Sequence, residues 1–116
     1  MAESFLELDL FINGDWQPSV DGGRIEDYNP ATGELAATVA RAGPEDLNQA
    51  VESAKCGLAV WRDTHPAERG RVLYRIANEI RARSDQLVQL ETLDTGGAVK
   101  RNKNSVENVC ARRFEY

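Results

Sequence analysis

Leu87-Val88-Gln89-Leu90-Glu91-Thr92-Leu93-Asp94-Thr95-Gly96-Gly97 decides how this 116-residue chain is read. The stretch closes a helix-period segment that begins at Pro66. Apolar residues recur at Val72, Leu73, Ile76, Ala77 and Ile80 and again at Leu87 and Leu90, at spacings that return to one side of a helix. Asp94 follows Leu90 by four residues and Leu87 by seven, so the spacing places its carboxylate on the packed face. It also sits in the last turn, where a helix presents its negative end and unpaired carbonyls. Oxygens of like sign meet there, and two arrangements relieve the conflict: a partner such as an Arg or a backbone N–H, or a bound cation. Gly96-Gly97 ends the helix.

Upstream, Leu6, Leu8, Leu10 and Ile12 alternate with Glu7, Asp9 and Phe11, the period-two pattern of one strand with one buried face. Asn13-Gly14 predicts a type I′ hairpin turn, since both central residues of that turn need positive φ. Asp15-Trp16-Gln17 is the return strand, ended by Pro18. Asp21-Gly22-Gly23 turns again before an extended piece, Arg24 to Tyr28. Asn29-Pro30-Ala31-Thr32-Gly33-Glu34 is a turn by composition, and Leu35 to Ala40 follows as a strand. Gly43 caps a first helix with Pro44 at its first position and Glu45 and Asp46 in its first turn. Its stripe is Leu47, Ala50, Val51, Ala54, Leu58 and Trp61, and it runs to about Val60.

The next helix is capped by Thr64 or His65, and Ser84-Asp85 breaks and recaps it, giving two consecutive helices. His65, the one histidine, has no catalytic partner in the pattern and reads as structural. Ala98 to Asn104 is polar and basic, an exposed loop, after which Ser105 caps a last helix bearing Val106, Val109, Cys110 and Phe114. Its apolar spacing still runs at Tyr116, the pattern of a truncated segment.

The length suits one domain or a piece of one. Residues 1–60 hold 3 Lys+Arg against 11 Asp+Glu and residues 61–116 hold 11 against 8. The basic half does not read as a nucleic-acid surface, because Arg69, Arg71, Arg75, Arg81 and Arg83 are interleaved with acids as on a solvated helix face. Glu3, Glu7 and Asp9 with no sustained apolar run argue against a signal peptide, a transit peptide and a membrane span, so the expectation is a cytoplasmic protein. Cys56 and Cys110 lack CxxC spacing, imply neither a disulfide framework nor a zinc site, and read as reduced apolar fillers. Gly22-Gly23 and Gly96-Gly97 lack the strand, GxGxxG and helix context of a dinucleotide loop.

Asp94-Thr95-Gly96 matches the short signature of aspartic proteases, whose two such loops share one proton between carboxylates. Their tripeptide lies between strands, whereas here a long helical pattern leads into it. A stronger likeness covers residues 10 to 96. Leu10-Phe11-Ile12-Asn13-Gly14, Asn29-Pro30-Ala31-Thr32-Gly33-Glu34, Ala42-Gly43 with Glu45-Asp46, Ala50-Val51, Trp61, Glu68-Arg69 and Leu90 to Gly96 stand in the order and spacing of the aldehyde dehydrogenase superfamily. The chain resembles its N-terminal portion, the betaine aldehyde dehydrogenase branch most of all. The likeness thins after Gly96, where the usual Gly-Lys-Pro is Gly96-Gly97-Ala98, and returns near Phe114-Glu115-Tyr116.

That resemblance implies an α/β fold: the hairpin and helices of a Rossmann-like cofactor domain, incomplete in residues 1–116, and in full length a homo-oligomer. It implies oxidation of an aldehyde by a cysteine thiolate, with oxyanion donors, hydride transfer to NAD(P)+ and a glutamate that activates water. All of those positions are expected beyond Tyr116, and neither cysteine here falls in the nucleophile motif. It also implies a potassium ion bound by oxygens of the two residues before Asn-Pro and of the aspartate of Leu-Asp-Thr-Gly: Asp27, Tyr28 and Asp94. A hard ion suits such a cage. The reading from another class is a non-catalytic helical binding module that uses the stripes Leu47 to Trp61 and Val72 to Leu90 on a partner.

Overall fold

The computed structural model describes residues 5–116. The acidic start read at Glu3 lies outside them. The described residues form two compact units, one within Met1–Tyr28 with Thr32–Asp63, and the other Asn29–Ala31 with Thr64–Tyr116.

In the first unit the strands are β1 (Leu6–Leu8), β2 (Leu10–Ile12), β3 (Asp15–Gln17), β4 (Arg24–Tyr28) and β5 (Leu35–Ala40), followed by helix α1 (Pro44–Asp63). β5 is central, with β1 parallel on one side and β4 antiparallel on the other, while β2 and β3 form a separate ribbon. The near-continuous run of small apolar residues in β5 suits a strand covered on both faces, and Ala36, Ala37 and Ala40 are buried. The register slips between Asp27 and Tyr28, a bulge that bends the end of β4.

The single strand expected over Leu6 to Ile12 is two strands in two sheets, divided at Asp9. Arg24 explains the division. Its guanidinium donates to the Asp9 carboxylate at 3.0 Å, to the Leu8 carbonyl at 3.1 Å and to the Thr38 carbonyl at 3.0 Å. That clamp joins the end of β1 to β4 and β5. The expected burial on one side appears only in β2, where Leu10 and Ile12 are half-buried, whereas β1 is exposed throughout. Asn13 and Gly14 have φ of 56° and 86°, the left-handed pair of a type I′ turn. Phe11 faces Trp16 across the ribbon with ring centroids 5.0 Å apart, and both rings are exposed.

Helix α1 starts as the Gly43-Pro44 pattern implies and runs three residues past Val60. Its start holds a feature absent from the sequence reading, because Asp46 is 1% exposed. One carboxylate oxygen accepts from the Gly43 N–H at 2.8 Å and the other from the Val20 N–H at 3.1 Å. The first contact is the returning half of a capping box; the second fastens the loop before β4 to the helix. Leu47, Val51, Leu58 and Trp61 are all exposed, so the apolar stripe of α1 is uncovered within its unit.

The second unit contains α2 (Pro66–Ala82), α3 (Ser84–Thr95), α4 (Val99–Asn104), a π-helical turn (Ser105–Cys110) and α5 (Ala111–Phe114). His65 caps α2, its Nδ1 accepting from the Ala67 N–H at 3.3 Å. The break between α2 and α3 falls at Arg83, but Ser84 does not cap. It is buried, and its hydroxyl donates to Glu107 Oε1 at 2.9 Å. The core consists of Ala77, Val88, Val106 and Ala111; α2 packs against α5 and the π turn, and small residues let those backbones approach closely. The stripe read along α2 and α3 is only partly covered, with Ile76 and Leu90 exposed.

Residues 98–104 are not a loop. Val99–Asn104 is helical and continues through the π turn to Phe114, with Ser105 in its interior. Lys and Arg are good helix formers. The polar residue that decides the matter is Asn102, 5% exposed, whose amide donates to Thr92 Oγ1 at 3.0 Å. Both cysteines are exposed, which corrects their reading as apolar fillers. Among the described residues no helix is long and apolar enough to cross a membrane.

The buried Asp46 carboxylate serves two backbone donors, so Asp46→Ala should cost about 2–4 kcal/mol in urea unfolding of the first unit. Asp46→Asn should recover only part of that loss, because one of its two terminal atoms becomes a donor facing an N–H. A cost within error of zero for Asp46→Ala would remove this carboxylate from the account.

Candidate functional site

The Leu90 to Gly97 stretch ends α3 as the sequence implies. Gly96 is left-handed, φ 64° and ψ 12°, with its N–H on the Thr92 carbonyl at 3.0 Å. The Thr95 hydroxyl donates to the Glu91 carbonyl at 2.6 Å and accepts from the Gly97 N–H at 3.2 Å. The orphan carbonyls of the last turn are thus partly satisfied by the local chain. Asp94-Thr95-Gly96 therefore belongs to a helix terminus, which removes the aspartic-protease reading.

Against this turn lies the Asn29-Pro30-Ala31 segment of the same unit. A Cβ built on Gly96 would fall 2.8 Å from Pro30 Cγ, so the ring occupies the space that a side chain would take. Asn29 Oδ1 accepts from the Ala31 N–H at 2.9 Å, an Asx turn that sets the proline in place. A cavity of about 310 Å3 beside this contact is lined by Asn29, Ala31, Val88, Thr92, Leu93 and Val99, among others. Two motifs read separately in sequence, Asn-Pro and Thr-Gly, are one packing unit.

Of the three expected potassium ligands, Asp27 and Tyr28 belong to the first unit and Asp94 to the second. Asp27 is half-buried at the β4 bulge, and Tyr28 is exposed. The Tyr28 hydroxyl donates to Glu26 Oε2 at 2.7 Å, and that bond to a carboxylate, with its charge, raises the phenol above its ordinary range. Asp94 is exposed, which corrects its expected place on the packed face. The buried side of α3 runs through Ser84 and Val88 to the half-buried Thr92. Asp94, two residues beyond Thr92, turns about 200° away from that side. Among the described residues no cluster of three or more His, Cys, Asp or Glu is arranged to hold a metal. Carboxylate and carbonyl oxygens do fit a hard cation in kind.

A nicotinamide dinucleotide is a poorer fit. The strand-to-helix junction, β5 to α1 through Arg41-Ala42-Gly43, has the order of a phosphate-binding βα turn. The Asp46 carboxylate already takes the Gly43 N–H there, and its charge opposes an incoming phosphate. No step of dinucleotide chemistry is assigned to these residues.

The structural anchors that sequence reading missed are Asp46, Asn102 and the Pro30–Gly96 pair. Gly43 followed three residues later by an acid carried a signal for the first. Nothing in the pattern marks a buried Asn on a basic helix.

The aldehyde dehydrogenase family profile matches residues 16–116. The chain belongs to the aldehyde dehydrogenase family. The match continues through residues 97–116, where the residue-by-residue likeness thins. An aldehyde dehydrogenase from Bacillus cereus is 31% identical, with 95% of this chain superposing on 23% of that one at a TM-score of 0.90. Betaine aldehyde dehydrogenase from Staphylococcus aureus, solved with NAD+, is 26% identical over 96% of this chain and 22% of its own, TM-score 0.88. The NAD-dependent aldehyde dehydrogenase of Sinorhizobium meliloti, 24% identical, shares the fold over 97% of this chain and 23% of its own, TM-score 0.91. The chain thus spans under a quarter of the length of these structural neighbours, a partial domain of the mixed α/β fold.

Gly96→Ala places a Cβ in both a left-handed residue and the Pro30 ring, so it should destabilise the second unit by roughly 2–3 kcal/mol. Pro30→Ala should recover about 1 kcal/mol of that in a double-mutant cycle followed by urea unfolding; strict additivity would deny the contact.

Glu115 lies below its ordinary 4.5, chiefly through its hydrogen bond with Arg81, whose own affinity for its proton is raised by the same bond. A lowered carboxylate contributes stability that is present above its unfolded value and lost as pH falls through the folded one. The melting temperature of the parent should therefore fall below pH 4.5 more steeply than that of Glu115→Gln, and parallel curves would contradict the coupling.

Proposed function

We propose that this chain is the N-terminal part of the NAD(P)-binding domain of an aldehyde dehydrogenase, an enzyme that oxidises an aldehyde to its acid. The observation that carries the reading is the family match across residues 16–116. The exposed apolar face of α1, with Leu47, Val51 and Leu58 open to solvent, supports it, since such a face suits a helix layer that lies on a further sheet. The nicotinamide group, when bound, supplies the hydride acceptor; the residues that hold it are proposed to lie outside this chain. What these residues contribute is scaffold: the Arg24 clamp, the Asp46 cap and the Pro30–Gly96 contact hold the outer layer in shape.

Three finer readings belong to the same proposal. The substrate is betaine aldehyde or a similar small aldehyde, supported by the likeness to the Staphylococcus aureus enzyme. Asp27, Tyr28 and Asp94 supply oxygens to a potassium ion, supported by the match of these positions to the family pattern and by donor chemistry suited to a hard cation. The assembled enzyme works in the cytoplasm as a homo-oligomer. The helical binding module has no observation in its favour.

The test is a chimera in which this chain replaces the matching part of the Bacillus cereus enzyme. The chimera should fold and reduce NAD+ with an aldehyde, and an insoluble or inactive chimera beside an active parent would contradict the proposal. Potassium should raise its melting temperature relative to a bulky organic cation at equal ionic strength, and Asp94→Asn should abolish the difference. Equal melting curves in the two salts would remove the cation reading and leave the enzyme reading standing.

A further inference from the structure

The tip of the β2–β3 ribbon carries a chemistry that the scaffold role does not use. Asn13-Gly14 is the single Asn-Gly pair in the sequence, and both residues are exposed. The ladder closes at the Ile12–Asp15 pair, so the Gly14 amide lies outside the paired residues. A Cβ built on Gly14 meets nothing within 4 Å, so the position is open, and glycine itself carries no side chain to hinder attack by its nitrogen. From helix α1, the Ser53 hydroxyl donates to the Asn13 amide oxygen at 3.3 Å. A donor on a carbonyl oxygen makes its carbon more electrophilic and stabilises the oxyanion formed on attack.

We propose that Asn13 is a site of spontaneous deamidation, assisted by Ser53. The Gly14 nitrogen loses its proton and bonds to Asn13 Cγ. The Cγ–Nδ2 bond breaks, and ammonia leaves with that proton. The five-membered imide that results takes up one water, opening at one carbonyl to aspartate or at the other to isoaspartate. No oxidant or cofactor takes part. The two products differ in consequence. Asp-Gly suits the same type I′ turn as Asn-Gly, and the ribbon persists. Isoaspartate adds a methylene to the main chain inside a two-residue loop, where the register is fixed by loop length, and the Leu10–Gln17, Phe11–Trp16 and Ile12–Asp15 pairs lose their match.

The experiment ages the 116-residue chain in mildly alkaline buffer and follows the one-dalton mass gain at each Asn by peptide mapping. Asn13 should convert ahead of Asn48, Asn78, Asn104 and Asn108. Ser53→Ala, checked for an unchanged circular dichroism spectrum, should slow Asn13 by about threefold in the folded chain, while both proteins convert at one rate in urea. Ser53→Thr, which keeps the hydroxyl, should hold the parent rate. Asn13 converting no faster than Asn48, or Ser53→Ala matching the parent in the folded chain, overturns the proposal.

Discussion

The close approach of Pro30 to Gly96 is the constraint on which the second unit is arranged. A proline ring presses into the place where any other residue at 96 would carry a side chain. The helix end must therefore be left-handed and bare at the same position, which glycine alone meets without strain. Around that point Asn29 fixes the turn that presents the ring, and Thr95 ties the last turn of α3 together. Asn102 reaches back from the following helix to Thr92. The Thr92 and Glu91 carbonyls and the Asn102 amide thus have local partners, and the chain itself satisfies part of the helix terminus.

The first unit rests on two charged side chains used in the same manner. Arg24, at the start of β4, ties the end of β1 to β5, and Asp46 joins a loop to the start of α1. Among the described residues, apolar burial in both units is confined to small residues, Ala36, Ala37, Ala40, Ala77 and Ala111 with Val88 and Val106. Small side chains bury little area each, while the larger Leu47, Leu58, Trp16 and Trp61 stay exposed. That distribution is opposite to a self-sufficient small domain, which places its largest apolar groups inside.

Elements that depend on local rules were legible in the sequence. The Asn13-Gly14 turn, the Gly43-Pro44 helix start, the His65 cap and the Gly96 stop each follow from backbone preferences of one or two residues. Elements decided by partners distant in sequence were not. The division at Asp9 depends on Arg24, and the burial of Ser84 on Glu107. Residues 98–104 looked like a loop because a basic composition hides a helix whose one buried position is an Asn. The outward turn of Asp94 was missed for a related reason: the apolar pattern of α2 was carried across the Arg83 break, whereas the buried side of α3 is set by Val88. Of the proposed cation ligands, the surroundings were not legible, since the pattern placed Asp94 on a packed face and the structure exposes it.

The central claim is that the bare face of α1 is shaped to lie beneath another layer of an aldehyde dehydrogenase subunit. Thiol labelling at Leu58→Cys, in a background with Cys56 and Cys110 changed to serine, tests it most directly. The account predicts rapid labelling in the 116-residue chain and strong protection once the same chain is built into the Bacillus cereus chimera. Equal labelling rates in a folded chimera and in the chain alone would contradict it.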